Sequence, residues 1–314
     1  MAKGGKSTSK STSKDAGKGK DRPTPKQAQA PKTKPPKTQP LSELLRAGPD
    51  FDLAAAKTDA TPGFRGRKRD GENALADGKE RLSNLQDRLT AAAAGGSGRS
   101  VLLVVQGMDT AGKGGIVRHV VGACDPEGVR VTSFKVPTAE ELSHDFLWRI
   151  RRALPPAGRI GVFDRSHYED VLIVRVHELA PRATWARRYA TINRFEQRLV
   201  DDGTTVVKVM LNISADEQKR RLRDRLSRPD KWWKFNPGDI DEREEWPAYQ
   251  EAYQAALTKC STEAAPWYVV PADHKWYARW AVQQLLIDAL DGIDPQWPPA
   301  DFDIKAEKAR LAAT

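Results

Sequence analysis

Asp109 and Lys113 stand four residues apart in a run of small residues, Gly107-Met108-Asp109-Thr110-Ala111-Gly112-Lys113-Gly114-Gly115. Glycines let several backbone N–H groups converge on one concave site, and a lysine at this distance can reach the outer oxygens of a bound polyanion. Gly107, Gly112 and Lys113 keep the G-x-x-x-x-G-K spacing of a Walker A phosphate loop. Gly114, however, occupies the place where Ser or Thr normally offers a hydroxyl to magnesium. A carboxylate beside a polyphosphate is repulsive unless a cation lies between them, so Asp109 reads as a replacement metal anchor. The same run also fits a glycine-rich turn that serves packing alone.

A second carboxylate, Asp164, closes the apolar run Ile160-Gly161-Val162-Phe163 and is followed by Arg165. If that run is a strand beside the one leading to the loop, Asp109 and Asp164 share a crevice at the carboxyl ends of the strands. The pair would hold Mg2+ bridged to phosphate oxygens, with Arg165 suited to a bidentate phosphate contact. Asp164 as a simple helix cap is the competing reading. Glu169 and Asp170 fit the site and a solvated helix start equally well.

The third constellation runs from Arg220 to Phe235, a basic helix followed by Pro229 and then by Trp232 and Trp233 among lysines. This pattern suggests a lid, about residues 220–240, closing over phosphates and excluding water. Arg225, Lys231 and Lys234 are assigned to phosphates, whereas Arg220 and Arg223 are assigned to a solvated face. Arg118, on the helix after the loop, joins Gly107, Gly112, Gly114, Lys231 and Lys234 as a candidate phosphate-binding group. The five histidines share no ligand spacing. The tryptophans, Trp276, Trp280 and Trp297 among them, read mostly as core, with one of Trp232 and Trp233 able to stack on a base.

The elements that would position these groups alternate between strand and helix. Leu75, Leu82, Leu85 and Leu89 mark one face of a helix over 70–94, ended by Gly95-Gly96. Strands are expected over 101–105, 129–136, 159–164, 204–213 and 267–270. Helices are expected over 140–154, 169–177, 184–200, 214–226, 241–260 and 275–290. Ser214 should cap its helix in a capping box with Glu217. Alternation of this kind implies an α/β fold, a mainly parallel sheet with helices on both faces. An N-terminal arm over 41–69 should pack onto the body without forming its core. The body is expected over 70–299 and a C-terminal tail over 300–314.

The net charge of +10 across 314 residues is concentrated at one end. Residues 1–40 carry ten lysines and Arg22 against Asp15 and Asp21, a net of +9. With almost nothing apolar to bury, this Lys/Ser/Thr/Gly/Pro-rich tail is expected to be disordered. It is either a nonspecific attractor of polyphosphate or nucleic acid, or a solubilising tail without a partner. No apolar run is long enough to span a membrane, and the basic N-terminus lacks the apolar stretch of a secretory signal. Cys124 and Cys260 are too few for a disulfide framework, which points to the cytoplasm.

The phosphate loop from Gly107 to Gly114, the segment Asp164-Arg165-Ser166-His167-Tyr168-Glu169-Asp170, and Arg225 with Lys231-Trp232-Trp233-Lys234 together resemble the polyphosphate kinase 2 family. The likeness runs from about Pro62 to Pro298. It implies a P-loop kinase-like three-layer α/β/α fold with a helical lid, usually in homo-oligomers. It also implies reversible Mg2+-dependent phosphoryl transfer between inorganic polyphosphate and purine nucleoside mono- or diphosphates. Asp109, Lys113, Asp164, Arg165 and Arg225 match the family's catalytic positions. Gly114 and His167 depart from many relatives, which carry Asp and Tyr there. Two rivals stay open: an ATP-dependent nucleotide kinase of thymidylate-kinase type, and a non-enzymatic polyanion-binding P-loop protein.

Overall fold

The structure, a computed structural model, describes residues 39–314. The expected disordered tail therefore lies almost wholly outside the described residues. A short helix α1 (Leu41–Leu45) leads through an extended arm to the long helix α2 (Lys68–Ala94). There Arg67 N donates to Asp70 Oδ2 at 2.7 Å, closing the start of the helix. The chain then enters β1 (Ser100–Gln106), the phosphate loop and α3 (Lys113–His119), followed by β2 (Val129–Ser133). Two short helices, α4 (Ala139–Leu142) and α5 (Trp148–Ala153), precede β3 (Ile160–Asp164). After a 3-10 turn over His167–Asp170 come α6 (Ile173–Val176), α7 (Arg182–Asp201) and β4 (Thr204–Asn212). Helix α8 (Ala215–Leu226), a 3-10 turn over Pro229–Lys234, α9 (Gly238–Glu244) and α10 (Trp246–Cys260) lead to β5 (Trp267–Pro271). The chain ends with α11 (Lys275–Ile293) and α12 (Ile304–Ala312).

The five strands form one sheet in the order β2-β3-β1-β4-β5, with every pair parallel. Val101 to Val105 are completely buried, as a central strand covered by helices on both faces requires. Position in the sheet shows in the side chains. The edge strand β2 leaves Arg130, Val131 and Ser133 exposed. The opposite edge, β5, is closed by the arm, where Ala47 N donates to the Trp267 carbonyl at 2.8 Å. The arm is thus part of the core rather than an addition to it, because Leu45, Ala47 and Leu53 are buried there.

Three expected helices differ in detail. The one over 140–154 is split, since Asp145 Oδ1 accepts from Leu147 N at 3.1 Å and restarts the helix, leaving Leu142 exposed. The one over 169–177 is a 3-10 turn plus the single turn α6. The one over 241–260 breaks at Glu245, with Pro247 in the first turn of α10. Residues 300–314, expected as a C-terminal tail, include the helix α12.

Candidate active site

The phosphate loop leaves the carboxyl end of the central strand, and its backbone shows why the sequence is so rich in glycine. Gly107 has φ +152°, and a Cβ there would stand 2.8 Å from the Leu211 carbonyl on β4. Gly112 has φ +122° at the start of α3. Lys113 Nζ donates to the carbonyls of Gly107 at 2.6 Å and Met108 at 3.3 Å, lying across the loop.

β3 is hydrogen-bonded directly to β1, with Asp164 in register with Val105. Arg165, at the exit of β3, adopts a left-handed φ of +64°. Its Nη2 meets Asp109 Oδ1 at 3.2 Å across the strand ends. Burial alone would raise the pKa of Asp109, yet Lys113, Arg165 and Arg225 together hold its carboxyl below the ordinary aspartate value. Asp109 is therefore an anion at neutral pH.

An open cleft of about 470 Å³ brings Asp109, Lys113, Asp164, Arg165 and Arg225 to one surface. Gly112, Gly114, Arg118 and Lys234 line it as well. Gly107 faces an adjoining recess with Glu169 and Tyr253. Lys231 is paired with Asp224 at 2.7 Å and lines a different neighbouring recess, with Lys275 and Arg279. Arg225 donates to the Lys234 carbonyl and to Asp239 Oδ2, both at 3.2 Å, which ties the end of α8 to α9. Arg220 and Arg223 are exposed, in keeping with a solvated face.

Several contributors were missed by reading the sequence. Ser133, Phe134 and Lys135 line the cleft from the end of β2, where the rule that ligands bind at strand carboxyl ends would have placed them. Gln218 Nε2 donates to the Asp109 carbonyl at 3.1 Å, a backbone contact with no sequence signal. Glu169, which fitted the site and a solvated helix start equally well, lines the recess beside the cleft and is pushed upward in pKa by burial, only partly offset by Arg165 and Lys113. The capping box at α8 is only half formed. Ser214 Oγ accepts from Glu217 N, but Ser214 N donates to Asp273 Oδ1 at 2.8 Å while the Glu217 carboxylate is taken by Arg220 and Arg221. Trp232 and Trp233 are 57% and 78% exposed, and Trp297 is 55% exposed, so none of the three belongs to the core.

The family model described as Polyphosphate kinase 2 matches residues 65–298. The AMP/ADP-polyphosphate phosphotransferase of Meiothermus ruber is 47% identical over 255 residues, covering 81% of this chain and 94% of that protein. The ADP-polyphosphate phosphotransferase of Rhodopseudomonas palustris is 43% identical over 263 residues, covering 80% of this chain and 89% of that protein. Among solved structures, polyphosphate kinase 2 from Arthrobacter aurescens TC1 matches with a TM-score of 0.87 at 57% identity, over 88% of this chain and 98% of that one. A P-loop kinase-like α/β architecture, the cleft at its strand ends and these likenesses agree, and the chain belongs to the polyphosphate kinase 2 family.

Proposed function

We propose that this phosphotransferase moves a terminal phosphoryl group reversibly between inorganic polyphosphate and a purine nucleoside mono- or diphosphate, AMP or ADP in type. The observation that carries the reading is the cleft itself, where two carboxylates and six lysine and arginine side chains from four segments meet at the phosphate loop. The names of the Meiothermus and Rhodopseudomonas relatives support the same substrates. In the forward direction an oxygen of the acceptor's terminal phosphate attacks the terminal phosphorus of the chain. The bridging P–O bond breaks, and polyphosphate leaves one unit shorter. No general base is needed, because the attacking oxygen is already anionic. Catalysis rests on alignment and on neutralising charge.

Lys113 and the loop amides would hold the donor's end, Arg118 and Lys234 its preceding phosphates, and Arg165 the acceptor phosphate. Arg225 would meet the transferring group, with residues 220–240 acting as the lid. Kinases of this family generally use a divalent metal. Mg2+ is the ion we propose, and the donor set fits it: Asp109 is ionised and shares the cleft with Asp164. When bound, it would neutralise phosphate oxygens, and Asp109 and Asp164 are the residues that would hold it. The cytoplasm and a homo-oligomeric assembly complete the proposal.

The test is to incubate purified protein with Mg2+, polyphosphate and AMP, ADP, GMP or GDP separately, and to resolve the products. ADP from AMP, or ATP from ADP, is expected. Phosphorylation that requires ATP as donor and ignores polyphosphate would replace this reading with an ordinary nucleotide kinase.

A further inference from the structure

Arg221 lies one turn before Arg225 on α8, with a side chain only 4% exposed. A guanidinium carries five N–H donors in one rigid plane. Here that plane joins three parts of the chain. Nε donates to Glu217 Oε1 at 2.7 Å on its own helix. Nη1 donates to the carbonyls of Thr110 at 2.9 Å and Ala111 at 2.8 Å in the phosphate loop. Nη2 donates to the carbonyls of Ala272 at 2.5 Å and Asp273 at 3.0 Å, in the turn leading out of β5. With Gln218 on the Asp109 carbonyl, the root of α8 holds three consecutive carbonyls of the loop.

We propose that Arg221 is a positioning residue for phosphoryl transfer, coupling the root of the lid helix to the phosphate loop without touching substrate. The inference rests on the function proposed above. The Ala111 carbonyl and the Gly112 N–H belong to one planar trans peptide, so aiming the carbonyl at Arg221 turns the amide the other way. Thr110 sits at φ +64°, a conformation that persists in a non-glycine residue when its surroundings over-determine it, and Arg221 fixes its carbonyl. Residues four apart share a helix face, so fixing Arg221 also sets where Arg225 meets the cleft. Filling this space would not require a charge, because well-packed apolar side chains commonly replace buried ions without loss of stability. Lysine keeps the charge but not the fork, and cannot bridge loop and turn from one nitrogen.

Arg221→Lys is compared with Arg220→Lys, whose exposed guanidinium shares Glu217 but touches no loop carbonyl. Arg221→Lys should lower kcat by about 10²-fold with the nucleotide KM within about threefold, because misplacement rather than lost binding is the defect. Amide hydrogen exchange should quicken over 107–115 and 271–274 while β1 stays protected, and Arg220→Lys should match wild type throughout. Reduced thermal stability with wild-type kcat and wild-type loop exchange would overturn the proposal. If Arg221→Lys does not fold, Glu217→Gln is used instead. It should slow turnover severalfold and quicken exchange over the same segments, and wild-type values for both would again overturn the coupling. A wild-type enzyme inactive with polyphosphate would refute the proposed function, while the exchange comparison would still decide the role of Arg221.

Discussion

On the proposed function, Asp109 carries the metal chemistry of this loop, because Gly114 supplies no hydroxyl. Asp109→Asn keeps the side chain's shape and its place beside Arg165 while removing the anion, and should cost on the order of 10³-fold in kcat with Mg2+. A Cβ built at Gly114 meets nothing within 4 Å, so the loop has room for a serine there. Gly114→Ser in the Asp109→Asn background should recover roughly tenfold by restoring a hydroxyl ligand. Steady-state kinetics across a Mg2+ titration check both, and near-normal turnover in Asp109→Asn would remove it from metal binding. Arg225 is tested against Arg223, which has the same charge on the exposed side of α8. Arg225→Lys keeps the charge but loses the planar guanidinium, whose Nη1 alone holds both Asp239 and the Lys234 carbonyl and leaves the other donors for the cleft, so kcat should fall by roughly 10- to 100-fold with smaller changes in KM. Arg223→Lys should stay within about twofold of wild type. Matching kinetics for the two variants would leave Arg225 without a role in transfer. The places of Asp109, Lys113 and Asp164 at the cleft were legible, the first two from the loop motif and Asp164 because it closes an apolar, strand-like run. Arg221 and Gln218 were not, since their partners in the loop are backbone carbonyls more than a hundred positions away.

At the scale of elements, the strands were legible to within a few residues, because an almost unbroken apolar run such as Val206 to Leu211 suits only burial on both faces. The helices around the cleft were less so. Periodicity extends through 140–154, but Asp145 offers the chain a local cap that outcompetes the continuing helix. The 3-10 turn carrying Tyr168 and Glu169 stands on a buried network that no pattern in the sequence reveals. Lys208 Nζ on β4 donates to Glu196 Oε2 at 2.6 Å and to the Cys260 carbonyl at 2.6 Å, while Tyr168 Oη donates to Glu196 Oε1 at 2.8 Å. Burial alone would raise the pKa of Glu196, yet Lys208 and His167 hold it below the ordinary glutamate value of 4.5. Its stabilising contribution is therefore complete above that value and is lost as pH falls through the lower folded-state one. Glu196→Gln should cost about 3 kcal/mol at neutral pH by leaving Lys208 without its counter-ion. The loss should shrink as pH falls below 4.5, and urea unfolding at pH 7 and pH 4 measures it. An equal loss at both pH values would mean that the carboxylate charge is not what the network uses.

For the whole molecule, charge is divided unevenly: residues 1–40 carry +9 of the +10, leaving a body near neutrality with six of its lysines and arginines lining the cleft. A polyphosphate chain approaching in solution meets two positive regions, and salt separates them. Exposed charges are screened beyond about 8 Å at physiological ionic strength, whereas the half-buried arginines of the cleft are screened much less. Deleting residues 1–38 should leave kcat unchanged at saturating substrate, because the groups proposed to align donor and acceptor all lie in the body. It should raise the KM for long-chain polyphosphate severalfold at low salt, by removing long-range attraction. That difference should close at about 0.5 M salt, where the screening length falls to a few ångströms. The melting temperature should move by less than about 3 °C, since the deleted stretch offers few apolar side chains to bury. Kinetics of the full-length and shortened proteins across a salt series decide the matter. A KM difference that persists at high salt would make the tail a specific part of the donor site, and no difference at low salt would reduce it to a solubilising extension.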